Sequence, residues 1–368
     1  MRQIASIELH VLAEELQQII GARFDKFYDL GGEAFKISLR SKGHTVLLYI
    51  SLLHTINITN FSEESGSATN FAMGIRKRLS GSSVSGISQH GSDRIITIDF
   101  EGDKSYRIII EMFGKGNLIL ADSSNTIELC YKSVRQKDRV IAVNSQYNFP
   151  EGSPIDVWSL NQDSAAAYVK TSLESGGKPV PALSKYFDIG PIYVEEAIYR
   201  SGFEPKEELP ASSYKEVAAS LIGIIATART PEPTAYMHDG IFVDYSITHL
   251  KKYENFEKEK YSSLSELLDN YYLKERSTIA PSAESGEKEA TMQSIKKQEE
   301  AIAEFEKEEE EYYKIGNAIL SNMNIINEVI RYVREHKHAD TKDIQENFPG
   351  VKIKSFDKAK KELVIEVD

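Results

Sequence analysis

The stretch Gly91-Ser92-Asp93-Arg94-Ile95-Ile96-Thr97-Ile98-Asp99-Phe100, continued by Tyr106-Arg107-Ile108-Ile109-Ile110-Glu111-Met112-Phe113-Gly114-Lys115-Gly116-Asn117-Leu118-Ile119-Leu120-Ala121-Asp122, decides how this chain is read. Isoleucine and its neighbours crowd three short runs, and glycine-containing turns separate them. Such runs predict the strands of a β-meander. Asp93 and Arg94 stand at the mouth of the first strand. A guanidinium suits planar contacts with phosphate and base edges, and a neighbouring carboxylate can orient it.

Upstream of the meander, Ile7, Val11, Leu12, Leu16, Ile19 and Ile20 recur at helical spacing, which predicts a helix over 5–20 that stops at Gly21. Two strand pairs follow, 23–30 with 34–40 and 45–51 with 55–59, punctuated by Gly31-Gly32 and Ser41-Lys42-Gly43. A second helix is expected over 69–80, with Phe71, Ile75 and Leu79 inward and Arg76, Lys77 and Arg78 largely outward. Strands over 84–89, 94–100, 106–111, 117–121 and 126–131 complete an α+β domain, 1–150, with mainly antiparallel sheet.

Composition changes near Pro150. Residues 151–228 read as a helical insert, in which Leu183 to Ile198 is helix, tight hairpin, helix. The hairpin about Gly190 is similar to a helix-hairpin-helix, a motif that offers backbone N–H groups to phosphates. Pro191 has no N–H, however, and Ile192 replaces the usual second glycine. Short strands and a helix at 263–274 return over 229–276, and the polar stretch 277–287 reads as a linker. From 288 to 338, Met292, Ile295, Ile302, Phe305 and their successors recur at three- and four-residue steps, the pattern of a coiled-coil helix. About 45 residues at 1.5 Å each give an arm of roughly 70 Å. The acidic run 299–311 reads mostly as its solvated face, with partner binding as the other reading. A short helix capped by Thr341 and a hairpin, 351–354 with 363–367, form a small α/β tip over 339–368. No second strand for the coiled coil is evident: either the chain is part of a longer protein, or the arm pairs with another copy.

The chain has 368 residues, 41% apolar and 27% charged, as expected for a soluble globular protein of two or three domains. No apolar run is long enough to span a bilayer, and the N-terminus lacks a signal-peptide pattern, so no membrane partner is expected. Cys130 is the single cysteine, read as a buried small hydrophobe in a reducing cytoplasm. The eight histidines show no metal spacing, and no glycine-rich nucleotide loop or nucleophilic triad is evident, so neither metal, cofactor nor covalent chemistry is expected. The net charge of −12 argues against nucleic acid. Acids and bases nearly balance through residue 150, however, so a local basic patch remains able to bind RNA. Arg76, Lys77 and Arg78 on one helix, and Arg135, Lys137 and Arg139 in a loop, are two such clusters, and Lys115 is exposed in its Gly114-Lys115-Gly116 hairpin. Glu8 reads equally as a first-turn acid facing the helix dipole and as a functional carboxylate.

The Asp-Arg pair and the Glu111-x-Phe113-x-Lys115-Gly116-Asn117 motif resemble the N-terminal domain of the NFACT family. That family holds the ribosome quality control factors called RqcH in prokaryotes and NEMF in animals, and is often labelled fibronectin-binding protein. The resemblance covers nearly the whole chain. It implies a formamidopyrimidine-glycosylase-like N-terminal domain, the helix-hairpin-helix insert and the first half of the coiled-coil region. The family's C-terminal NFACT-R domain is absent, so an N-terminal fragment, of archaeal type, is expected. By the same resemblance Asp93, Arg94, Glu8, Arg76, Lys77 and Arg135 are tRNA-binding residues, and Arg78, Lys115, Lys137 and Arg139 are further phosphate contacts. Glu8 departs from the family's aspartate by one methylene, about 1.5 Å.

The function implied is not enzymatic. The protein would hold peptidyl-tRNA and alanine-type aminoacyl-tRNA on an obstructed large ribosomal subunit, while the ribosome adds a C-terminal tail to the stalled chain. Two other readings stand beside it. One is a nucleic-acid binder on the glycosylase-like fold without glycosylase activity, since Arg2 and Gln3 replace the N-terminal proline and glutamate those enzymes need. The other is a fibronectin-binding adhesin, which the lack of an export signal opposes.

Overall fold

Glycine turns and β-branched runs produce nine strands that form one antiparallel sheet. They are β1 (Arg23–Gly31), β2 (Ala34–Ser41), β3 (His44–Ser51), β4 (Thr55–Thr59), β5 (Ser83–Gln89), β6 (Ile95–Glu101), β7 (Tyr106–Glu111), β8 (Asn117–Asp122) and β9 (Ile127–Cys130), in the order β4-β3-β2-β1-β5-β6-β7-β8-β9. The computed structural model describes residues 2–60, 69–136, 139–150, 155–174, 176–271, 314, 316–357 and 362–366. The expected linker, most of the expected arm, and Lys137 lie outside these residues.

The expected strands are all present, and the bounds Thr55–Thr59 and Tyr106–Glu111 coincide with those read from the sequence. The sheet consists of two meanders, and between β1 and β5 the ladder is reduced to one pair, Arg23 with Ser83. In β6, β7 and β8 both faces are covered. Ile96, Ile98, Ile108, Ile110, Leu118 and Leu120 join the main core, while Ile95, Ile109 and Ile119 face a second cluster with Ile141 and Tyr147. A strand buried on both sides needs no polar alternation, which explains the run Ile108-Ile109-Ile110. The second face is covered in part by the hairpin of β10 (Val134–Gln136) and β11 (Arg139–Ile141), so the expected loop carrying Arg135 and Arg139 is a hairpin.

Helix α1 (Ser6–Glu15) lies in the main core, with seven of its ten residues buried. It gives way to a 3-10 turn at Leu16–Ile19, and Ile20, expected inward, is 44% exposed. Helix α2 (Asn70–Leu79) is capped by Thr69 and packs on β1. The insert forms α3 (Gln162–Glu174), α4 (Pro179–Phe187), α5 (Pro191–Arg200) and α6 (Tyr214–Ala226). The chain then returns as a three-stranded sheet, β13-β12-β14, of β12 (Thr234–His238), β13 (Ile241–Ser246) and β14 (Glu257–Lys260), and a helix α7 over 264–271. One core cluster holds residues of α1, the large sheet, all four insert helices and this return. The segments expected as 1–150, 151–228 and 229–276 therefore pack together, in a unit that spans 1–277.

The second unit, 278–368, has its own small core of Val329, Ala339, Ile344 and Val351. It holds α8 (Met323–Glu335), preceded by helical residues 316–321, α9 (Thr341–Asn347) and the hairpin of β15 (Lys352–Asp357) with β16 (Glu362–Glu366). The cap of α9 is Asp340, not Thr341. Asp340 accepts from the N–H groups of Lys342 and Asp343, and the Asp343 carboxylate accepts from the Asp340 N–H. Cys130 is half-buried beside Ser133 rather than sealed, because β9 is the edge strand.

Helices α4 and α5 are joined by Asp188-Ile189-Gly190, in which Asp188 is left-handed (φ 42°) and Gly190 has φ 99°. A Cβ on Gly190 would lie 2.6 Å from the Cβ of Ala5, at the start of α1. The turn thus approaches α1 as closely as glycine permits. Gly190→Ala is expected to destabilise the chain by about 2 kcal/mol or more, from strain and overpacking together. Urea unfolding measures it, and a wild-type midpoint would contradict the close approach.

Candidate nucleic-acid interface

The turn between β5 and β6 holds Asp93 and Arg94, both half-buried. The Asp93 N–H donates to the His90 carbonyl (2.9 Å), and the Met112 N–H donates to the Arg94 carbonyl (2.8 Å). The Arg94 guanidinium reaches across to Gln3, whose side-chain oxygen accepts from Nη1 at 2.8 Å. Arg94 is therefore neither sealed inside nor free on a flat surface. It lines a cleft of about 850 Å³ whose other wall comes from α4 and α5.

At the cleft floor lies a buried ionic cluster. Arg2 donates from Nε to Asp244 (2.7 Å), from Nη1 to Glu8 (2.8 Å) and the Gln3 carbonyl (3.3 Å), and from Nη2 to Glu8 and the Tyr245 carbonyl (2.9 Å). Its five N–H groups are all engaged. Glu8 is fully buried and also accepts from the Ala5 N–H (2.8 Å), the Tyr193 hydroxyl (2.6 Å) and the Tyr245 hydroxyl (3.3 Å). Burial and then the Glu8 carboxylate push the Tyr193 phenol well above its ordinary range, so it remains a donor. A carboxylate saturated by five donors and sealed from solvent cannot also touch RNA. Glu8, expected as a tRNA contact, is instead a support for the cleft.

Six cationic and three anionic side chains line the cleft. Two of those cations are paired within the wall, Arg2 with both Asp244 and the buried Glu8, and Lys252 with Glu195 (3.3 Å). Arg94, Lys178, Lys185 and Lys206 remain, opposed by Asp188. The three lysines are exposed. With Glu8 and Asp93 counted beside the lining carboxylates, cations still exceed anions by one, and the exposed lysines concentrate that excess on one wall of the cleft in a chain of net charge −12. Burial pushes the Asp188 carboxyl up, Arg94 pulls it down and Asp93 pushes it up, to about 6. Among the described residues no group of three His, Cys, Asp or Glu side chains is placed to hold a metal ion, and no helix is long and apolar enough to cross a membrane.

The other basic residues singled out by sequence lie elsewhere. Arg76 was expected outward, yet it is half-buried: its Nε donates to the Phe27 carbonyl (2.7 Å) and its guanidinium stacks on Tyr28. Arg78 pairs with Glu128 (2.9 Å) on β9. Arg139 is held by Glu111 and stacks near Phe113 and Tyr147. These three serve the packing of the sheet unit, and none lines the cleft. Lys77, Lys115 and Arg135 are exposed, also away from it. Sequence reasoning passed over Asp188, Lys178, Lys185 and Lys206, since spacing along α4 and beyond it gives no sign that they face Arg94. It read Arg2 only as a departure from proline.

The family model described as NFACT N-terminal and middle domains matches residues 6–367. The archaeal Rqc2 homolog aRqcH of Methanocaldococcus jannaschii is 27% identical over 351 residues, 90% of this chain and 52% of that protein. The ribosome quality control complex subunit NEMF of Homo sapiens is 24% identical over 371 residues, 90% of this chain and 34% of its own length. The chain thus spans about half of the first relative and a third of the second. Among solved structures, the fibrinogen binding protein from Staphylococcus aureus shares the fold, with a TM-score of 0.62 at 22% identity over 73% of this chain and 98% of that one.

Removing one partner of a buried ion pair leaves the other uncompensated, at about 3–5 kcal/mol. Glu8→Ala is expected to lose that much stability in urea unfolding, and a loss below about 1 kcal/mol would show the cluster to be peripheral. Asp188 makes a second prediction. Its folded value of about 6 lies above the ordinary carboxyl value, so between about pH 4 and pH 6 the folded state binds more protons than the unfolded one. Its contribution therefore falls as pH rises through that window and is flat above it. Asp188→Asn, compatible with the left-handed backbone, is expected to raise the melting temperature by a few degrees near neutral pH and by less near pH 4. An equal shift at both would contradict it.

Proposed function

Because this chain belongs to the NFACT family of ribosome quality control proteins, we propose that it acts in ribosome-associated quality control by holding tRNA at the cleft beside Arg94. One observation carries the reading: among the described residues Arg94 from the β5–β6 turn and Lys178, Lys185 and Lys206 from the helical insert line one cleft, where Asp188 and the neighbouring Asp93 oppose them. Lysine and arginine so arranged suit a phosphate backbone, and Arg94 adds a planar donor fork. Asp93 shares the turn as its acidic neighbour. The exposed Lys77, Lys115 and Arg135 supply outlying phosphate contacts, and Glu8 supports the floor from within. In this reading the RNA is peptidyl-tRNA or an alanine-type aminoacyl-tRNA on the large ribosomal subunit. The ribosome makes the peptide bonds of the tail, and this protein contributes position.

Arg94→Ala is expected to weaken binding of unfractionated tRNA about tenfold in a filter assay and to lower the salt-dependence slope by about one. Co-sedimentation with large subunits carrying peptidyl-tRNA should fall in parallel. Unchanged affinity and slope would remove the cleft from the RNA-binding surface.

A further inference from the structure

The turn that carries Arg94 is enclosed by a closed circuit of side chains from three parts of the chain. Gln89, the last residue of β5, donates from its amide nitrogen to two carbonyls, Asp93 (2.8 Å) and Ser6 (2.9 Å). Its amide oxygen lies 3.2 Å from His10 Nδ1. Since that oxygen can only accept, Nδ1 is the donor. The His10 ring stacks on Trp158, with centroids 3.8 Å apart and planes 25° off parallel. The Trp158 indole N–H closes the circuit by donating to the Gly91 carbonyl at 3.1 Å. Two carbonyls of one turn are thus held from two sides, by the sheet and by the first segment of the helical insert. Gly91 is left-handed (φ 55°), and backbone bonds from the Asp93 N–H to the His90 carbonyl and from the His90 N–H to the Ile95 carbonyl (both 2.9 Å) close the turn, so the side-chain circuit adds to a backbone already folded there. On the far side His90 stacks on Phe149, centroids 3.9 Å apart.

We infer that Gln89, His10 and Trp158 are positioning residues that hold the β5–β6 turn so that Arg94 faces the cleft. None of the three lines the cleft, so they act through Arg94 rather than on the ligand. The inference rests on the reading that Arg94 contacts tRNA. It goes beyond that reading by making docking of the helical insert, through Trp158, a condition of the grip.

The test is a double-mutant cycle read with unfractionated tRNA on the full chain. Gln89→Leu and Trp158→Phe each remove hydrogen bonds to the turn, and the phenylalanine keeps an aromatic stack on His10. Each is expected to weaken binding about 3- to 10-fold, the range of one or two lost hydrogen bonds. In an Arg94→Ala background both effects should vanish, whereas in a Lys206→Ala background both should persist in full. Equal weakening in all backgrounds, or wild-type binding of both variants, overturns the inference. Trp158 is the only tryptophan and supplies a readout without RNA: Gln89→Leu should shift its emission to the red as the circuit opens. An unmoved emission overturns the circuit itself. A shifted emission with tRNA binding unaffected by Arg94→Ala would instead overturn the RNA reading, and with it the positioning role. If Gln89→Leu melts below the assay temperature, Trp158→Phe completes the cycle alone.

Discussion

The cleft depends on a buried carboxylate in the first turn of the first helix. Glu8 accepts from a guanidinium, two phenols and a backbone amide, and its partners belong to segments far apart in the chain. Arg2 ties the irregular N-terminal segment to β13 through Asp244, while Tyr193 brings in α5. A charge this deep is unfavourable unless each partner is in place. Once they are, the cluster permits one arrangement of α1, the helical insert and the returning sheet. The helical insert forms one wall of the cleft, and residues 2–6 and Asp244 also line it, so a buried group outside the lining helps to hold several of its parts in place.

The strands were legible because their signals are local. Gly31-Gly32, Ser41-Lys42-Gly43 and the isoleucine runs mark turns and ladders within a few residues of each other. β14 was not: Glu257–Lys260 alternates acid and base and is wholly exposed, and it is a strand only because β12 lies beside it. The candidate site divides the same way. Arg94 was legible from its place at the mouth of a strand. The fates of Arg76, Arg78 and Arg139 were not, since helix and hairpin patterns reveal a cation but not the carbonyl or carboxylate waiting across the sheet. Glu8 was visible as a first-turn acid, but its burial depends on Tyr193 and Tyr245, 185 and 237 positions away.

Long-range organisation also explains why overall charge misleads for this chain. The net charge of −12 is a sum over surfaces that a ligand in the cleft does not experience equally. Debye screening limits each charge to about 8 Å at physiological ionic strength. The groups at the cleft are the lining cations, the carboxylates paired with Arg2 and Lys252, and Asp188 with Asp93 near it.

Asp188 gives the cleft a property that a uniformly basic groove would lack. A carboxylate among four cations lowers the attraction for any polyanion, and so it sacrifices affinity at neutral pH. It accepts hydrogen bonds but cannot donate them while ionised, so in the proposed tRNA reading it would suit amino or hydroxyl groups beside the phosphates. Its placement reinforces this. The αL turn that carries this half-buried carboxylate is held against α1 by a hydrogen bond from the Ser6 hydroxyl to the Asp188 carbonyl, and by the contact of Gly190 with Ala5. Arg94 is anchored to the same end of α1, through Gln3 directly and through the Gln89 bridge to Ser6. The guanidinium and the carboxylate are therefore both fixed to the N-terminal end of one helix, which sets the spacing between a donor suited to phosphate and a hydrogen-bond acceptor in the cleft.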